Sequence, residues 1–178
     1  MLTDNPATSH IFDQPPLTAF RKDRSLRSCL VHSQHRAQQD EPASSTPCHR
    51  PRCKTCARIA TKHQICGPKG DHKVCGKFTC TTENLIYVIT CNACNLLYVG
   101  ETKRRLADRV TEHLRSVRLN TNGLPVARHF NLPGHSIDDF KVSGAIKCSD
   151  DDSSRKRLEE RLIFQLGTLQ PRGINVSF

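Results

Sequence analysis

The chain has 178 residues, room for one modest domain plus a tail or small subdomain, with 27 Lys and Arg against 17 Asp and Glu and a net charge of +10. Hydrophobic residues make up 36% of it, with no Trp and only two Tyr, so the core is not rich. No run of about 18 apolar residues and no basic-then-apolar leader is present, which argues against a membrane span and against secretion.

The basic excess favours a polyanionic partner, nucleic acid first, over an indifferent solvated surface. Ten cysteines in a chain read as intracellular, some at Cys-x-x-Cys spacing, are metal ligands before they are disulfides. A disulfide-rich secreted protein is the rival reading.

Three segments follow in chain order. Residues 1–47 read as a weakly ordered basic N-terminal segment and linker. Within it, Phe20–His32 has Leu26, Leu30 and Val31 at helical spacing, and Gln39–Pro47 is polar and carries prolines. Residues 48–82 are rich in Cys, His, Lys and Arg and poor in apolar periodicity, so metal rather than a core is expected to hold them. Cys48, Cys53 and Cys56 are three ligands of a candidate second zinc site. Cys66, Cys75, Cys80 or His63 could supply the fourth. His49, Arg50, Arg52 and Lys54, lying among these ligands, suit phosphate contact. Cys29 and Cys148 read as ordinary thiols.

Residues 83–178 carry the regular structure. Leu85–Cys91 and Leu96–Gly100 read as a hairpin. Thr102 is placed to cap a helix running through about Leu119, and Pro125–Phe130 fits a short helix with Pro in its first turn. Phe140–Ile146 alternates as a third strand. Ser153–Leu169 is a second long helix, preceded by aspartates suited to a helix N-terminus. Ile174–Phe178 is a tail. The expected class is α/β, a small three-stranded antiparallel sheet flanked by helices, with the Cys-rich segment upstream.

On the first long helix Leu106, Val110, Leu114 and Val117 form the buried stripe. Arg109 and His113 sit four apart at its margin, facing the hairpin that holds both tyrosines, Tyr87 and Tyr98. A charged Arg at the edge of a buried face is costly unless it has a partner or a task; snorkelling to solvent is the bland alternative. On the second helix Leu158, Leu162 and Leu166 mark the apolar face and Glu159 falls inside that arc, a metal-ligand or acid–base candidate or half of a salt bridge to Arg109.

Leu-Ile-Tyr87, Tyr98-Val-Gly100, Glu101-Thr102 and Leu106-x-x-Arg109-x-x-x-His113 together resemble the GIY-YIG nuclease superfamily. CHRPRCKTC at Cys48–Cys56, the stretch FTCTTENLIYVITCNACNLLYVGET and the ending LGTLQPRGIN are similar to the endonuclease domain of Penelope-like retroelements. The resemblance implies a metal-dependent DNA endonuclease that nicks target DNA for a reverse transcriptase, as part of a longer polyprotein, inside the nucleus. It implies that Tyr87 and Tyr98 orient or deprotonate the attacking water and that Arg109 binds the scissile phosphate. His113 then assists proton transfer or phosphate contact, Glu159 holds a single Mg2+ or Mn2+, and Asn175 supports the site. It also agrees with a structural zinc site of Cys91 and Cys94 with His129 and His135, whose Cys-x-x-Cys and His-x5-His spacings suit a tetrahedral ion. A tyrosine base needs a lowered pKa, which Arg109 and a metal could provide. Two positions depart from the pattern: Leu-Ile-Tyr87 replaces Gly-Ile-Tyr, and Leu162 stands in place of a Trp that packs rather than reacts. The alternative function is a catalytically inactive, zinc-dependent nucleic-acid-binding protein.

Overall fold

A computed structural model describes residues 43–121 and 123–177 of the chain. The helix expected over Phe20–His32 lies outside them. The first strands are a short antiparallel pair, β1 (Gln64–Cys66) and β2 (Asp71–Lys73), within the segment where the sequence shows no periodicity. The main sheet is antiparallel in the order β4-β3-β5, with β3 (Leu85–Cys91) between β4 (Leu97–Thr102) and β5 (Phe140–Lys147). The helices are α1 (Leu106–Arg118), α2 (Pro125–Phe130) and α3 (Asp152–Leu166). The fold is therefore the expected α/β class. Every residue of β3 is buried, which is why Leu85–Cys91 is almost uniformly apolar instead of alternating.

Helix ends differ from the sequence expectation for identifiable reasons. Thr102 ends β4 and gives its hydroxyl to the Arg104 carbonyl, so it caps nothing. α1 starts at Leu106 without any side-chain cap; its first N–H groups, on Leu106 and Ala107, donate to the carbonyls of Thr82 and Cys80 at 2.9 and 2.8 Å. α3 starts one residue early because the Asp151 carboxylate accepts from the Ser153 and Ser154 N–H groups. It stops at Leu166 because Gly167 takes the left-handed conformation, φ 70°, that closes a helix.

Both edges of the sheet are covered. Along β5, Ala60 N–H donates to Val142 O, Cys75 N–H to Ala145 O, and the Ser45 hydroxyl accepts from Gly144 N–H. Ser45, ahead of Cys48, is completely buried. Along β4, Ile174 N–H donates to Leu97 O, and Asn175 bonds both backbone groups of Val99. The expected tail is thus docked as far as Asn175.

The Cys-rich segment also contributes to the core, contrary to expectation. Ile65, Val74 and Phe78 are buried in the same cluster as β3, and Cys80 is buried as well. Phe78 lies where a Cβ at Gly144 would overlap its ring, so the glycine is there to admit it. Phe78→Ala should lower the unfolding free energy by about 3–5 kcal/mol. Denaturant unfolding of the full chain measures this, and a loss below about 1 kcal/mol would mean the ring only covers the sheet.

Candidate active site

Cross-strand pairing places Tyr87 opposite Gly100 and Tyr98 opposite Ile89, so the tyrosines share the face that meets α1. Gly100 is required there. A Cβ on it would stand 2.7 Å from Tyr87 Cζ and 2.9 Å from Tyr98 Cε1, too close for either ring to stay. The glycine after Tyr98-Val thus follows from the two tyrosines themselves.

Tyr87 has no solvent exposure. Its hydroxyl lies 3.0 Å from Arg109 Nε and 2.8 Å from His113 Nε2. Arg109 Nε–H can only donate, so the phenol oxygen accepts from it. The phenol proton then points to His113 Nε2, which fixes that nitrogen as the acceptor and Nδ1 as the protonated one. Burial, and then the Arg109 charge, push the His113 pKa down to about 3, so the imidazole is neutral. The chain Arg109 to Tyr87 to His113 is directional and complete.

Burial raises the pKa of Tyr87, and that of Tyr98 as well, with Arg109 opposing in both. Arg109 acts in the expected direction, but without a metal the desolvation of a phenolate under a packed helix outweighs one nearby cation. Tyr98 is only half-buried; it lines a pocket of about 90 Å³ with Arg109, Glu112, His113 and Pro125. Tyr87 is not among the residues that line the pocket, but its hydroxyl bonds two that do, Arg109 and His113.

Glu159 enters from α3, which packs along β4. Its carboxylate lies beside the Glu101 backbone N–H, an outward group of the edge strand, which partly offsets the cost of its charge. Burial and then the Glu101 carboxylate raise its pKa to about 7. The salt bridge to Arg109 that the sequence allows is not formed; Arg109 Nη1 is 3.1 Å from Glu112 Oε2 instead. A half-buried carboxylate held near Arg109 without an ion pair fits a divalent cation, because a cation would relieve both the burial and the repulsion.

Asn175 stands behind β4. Its Oδ1 accepts from Val99 N–H and the Thr168 hydroxyl at 2.9 and 2.8 Å, and its Nδ2 donates to Val99 O at 2.9 Å. All three of these bonds fasten the end of the chain to the strand that carries Tyr98. One participant escaped sequence reasoning. Arg155, only 4% exposed, donates from Nε to Glu101 Oε2 and from Nη2 to Asp152 at 2.7 Å. Arg155 and Glu159 lie four apart on one face of α3, and that spacing was the available signal.

Two groups of donor atoms come together, each within 4.8 Å throughout. Cys91, Cys94, His129 and His135 form one, with Cys94 Sγ 3.5 Å from His129 Nε2. Here His135 Nε2 is buried with no hydrogen-bond partner, as a ligand nitrogen aimed at an ion would be. Burial and the neighbouring His135 hold His129 neutral, the ligating form. Cys48, Cys53 and Cys56 form the other, and the structure resolves the open choice of a fourth member in favour of Cys80.

Residues 83–175 match the family model described as the GIY-YIG catalytic domain. The chain belongs to the GIY-YIG family. Among solved structures, the catalytic domain of homing endonuclease I-TevI is similar at 21% identity and a TM-score of 0.44, over 52% of this chain and 97% of that one. A mutant of the catalytic domain of intron endonuclease I-TevI is similar at 22% identity and a TM-score of 0.45, over 52% of this chain and 91% of that one. No curated protein sequence matches the chain. Among the described residues no helix is long and apolar enough to cross a membrane.

The depressed His113 pKa sets an acid limb on stability. Below about pH 6.5 the unfolded chain takes up this proton and the folded chain does not, so stability falls from there down towards pH 3, by a few kcal/mol at about 1.4 kcal/mol per unit. His113→Gln keeps an acceptor for Tyr87 and should flatten that limb. Thermal melts between pH 4 and pH 7 measure it, and an unchanged limb would show that His113 is not the group responsible.

Proposed function

We infer that the chain is a metal-dependent endonuclease that hydrolyses phosphodiester bonds in DNA. The observation that carries this reading is the convergence of Arg109, Tyr87 and His113 in one hydrogen-bonded chain, beside Tyr98 and an unpaired Glu159. Membership of the GIY-YIG family and the +10 charge support it.

The roles divide by exposure. Tyr98 lines the pocket and orients the attacking water. Arg109 brings a permanent charge to the scissile phosphate, where negative charge develops. Tyr87, fully buried, holds Arg109 and His113 in place, and its proton has an acceptor in His113 Nε2 if the phenol ionises. A Mg2+ or Mn2+ ion held by Glu159 would supply neutralising charge on the phosphate oxygens. Zinc is the ion that suits the Cys91, Cys94, His129 and His135 donor set. Resemblance of the Cys48–Cys56 stretch and of the ending LGTLQPRGIN to Penelope-like elements supports a reading in which the cut is target-site nicking for a reverse transcriptase in the nucleus.

A nicking assay on supercoiled plasmid with Mg2+ tests the chemistry. Arg109→Ala and Glu159→Ala should each lower turnover by at least about 10²-fold. Salt-sensitive DNA binding should persist in both variants. Binding without any cleavage in the unaltered protein would favour an inactive DNA-binding copy. Cys94→Ser should lose one equivalent of bound zinc by elemental analysis and lower the melting temperature; unchanged metal content would remove this zinc assignment.

A further inference from the structure

The geometry points to a metal-held brace on α1: Cys48, Cys53, Cys56 and Cys80 take one tetrahedral thiolate-bound ion of the zinc class, and its binding fixes the first turn of the helix that carries Arg109. This rests on the reading of Arg109 above and deepens it.

The donor set comes first. Cys56 Sγ lies 3.5 Å from Cys48 Sγ and 3.7 Å from Cys80 Sγ. Zn–S bonds of about 2.3 Å place tetrahedral sulfurs about 3.8 Å apart. A disulfide would need about 2.05 Å, so the sulfurs are spaced for a shared ion. The four carry soft thiolate chemistry and no carboxylate, which selects zinc over magnesium or calcium. The exposed side chains of His49, Arg50, Arg52 and Lys54 surround a centre that would be net negative when filled.

The loop's backbone is the second observation. His49 and Arg52 are both left-handed, at φ 51° and 66°, a conformation that costs such residues roughly 1 kcal/mol or more each. Cys53 N–H donates to Arg50 O and Cys56 N–H to Cys53 O, so the chain curls back on itself around the sulfurs. Most of the loop's side chains are exposed, and Thr55 is its one buried residue. Such strain persists only where something over-determines it, and an ion bound by three of the loop's nine residues does so.

The link to α1 is direct. Cys80 is fully buried, and its carbonyl accepts the Ala107 N–H at 2.8 Å. Two residues on, the Thr82 carbonyl takes the Leu106 N–H at 2.9 Å. Because α1 has no side-chain cap, these carbonyls are what its first turn depends on. Arg109 belongs to that turn. Release of Cys80 from the cluster frees the segment that holds the helix end and lets Arg109 drift from the Tyr87 hydroxyl.

The test uses the full chain and the double variant Cys53→Ser/Cys56→Ser, with Cys53→His as the conservative control. The double variant should lose one zinc equivalent by elemental analysis. Amide exchange at Leu106 and Ala107 should quicken at least about tenfold, while Val142 and Ala145 in β5 stay protected. Turnover in plasmid nicking at saturating DNA should fall at least about tenfold, with the DNA concentration for half-saturation changed less than about twofold. Cys53→His, which keeps four ligands, should restore all three. Unchanged exchange at Leu106 and Ala107 overturns the brace, and so does a loss confined to DNA affinity. Loss of protection in β5 as well also overturns it, in favour of a general fold-stabilising site. Because metal content and exchange need no cleavage, the brace stands or falls separately from the nuclease reading.

Discussion

A three-stranded sheet has two edges for one central strand, and its outward N–H and C=O groups must find partners wherever the edge is covered. In this chain that requirement builds the site. Along β4 the outward groups alternate through Leu97, Val99 and Glu101. The first two are met by the Ile174 amide and the Asn175 side chain, and the Glu159 carboxylate lies beside the third. Tyr98 sits among these three positions, pointing to the α1 face. The strand that carries the pocket tyrosine is therefore held by the residues that bring the carboxylate to it. Along β5 the same need is met by Ser45, Ala60 and Cys75, which fasten the upstream segment to the sheet.

Charge is distributed unevenly across this frame. Arg155 is spent on Glu101 and Asp152, and Arg109 on Tyr87 and Glu112. Glu159 has no ion pair among the described residues, and burial and then the Glu101 carboxylate raise its pKa. Folding alone would be better served by a neutral side chain at this point, since burying an unpaired carboxylate is unfavourable. A site prepared for a cation and a phosphate must tolerate this deficit until they arrive. The tyrosines show the same trade. Packing under α1 gives Tyr87 two fixed hydrogen bonds at the expense of its acidity, which suits a positioning part better than that of a base.

The site was readable from sequence where it depends on local periodicity. Arg109 and His113 lie four apart beside a leucine and valine stripe, Tyr87 and Tyr98 flank one turn, and Glu159 shares an arc with Leu162 and Leu166. Each follows from helical or strand geometry within a few residues. What depends on distant pairing was not readable. Nothing near Cys80 marks it as the partner of Cys48, and the choice among four candidates needs the folded chain. The start of α1 at Leu106 is set by carbonyls of Cys80 and Thr82, which lie beyond β3 and β4 in sequence, so propensity and capping rules applied to residues 102–106 misplace it. Phe78 looked like part of a metal-held linker because its only cavity is made by Gly144, across the sheet. Arg155 was passed over because a lone Arg near a helix start reads as solvated until Glu101 is known to face it.

The two donor clusters hold opposite ends of the same helix. Cys80 sits one carbonyl from the first turn of α1. At the other end Asn131 Nδ2 donates to the Val117 carbonyl, which joins the last turn of α1 to α2 and so to His129 and His135. Cys91 and Cys94, whose sulfurs lie within 4.8 Å of the donor atoms of His129 and His135, place that assembly beside the turn between β3 and β4. A core with no Trp and a sheet of three strands gives a helix limited lateral contact, and Arg109 needs placement within a fraction of an ångström to keep Nε on Tyr87. Closing a loop by a cross-link at each end is an efficient way to obtain that accuracy in a small domain, because the constraint acts on the ends of the element without requiring a larger core. The density of cysteine in this chain and its poverty in aromatic residues are then two sides of one solution.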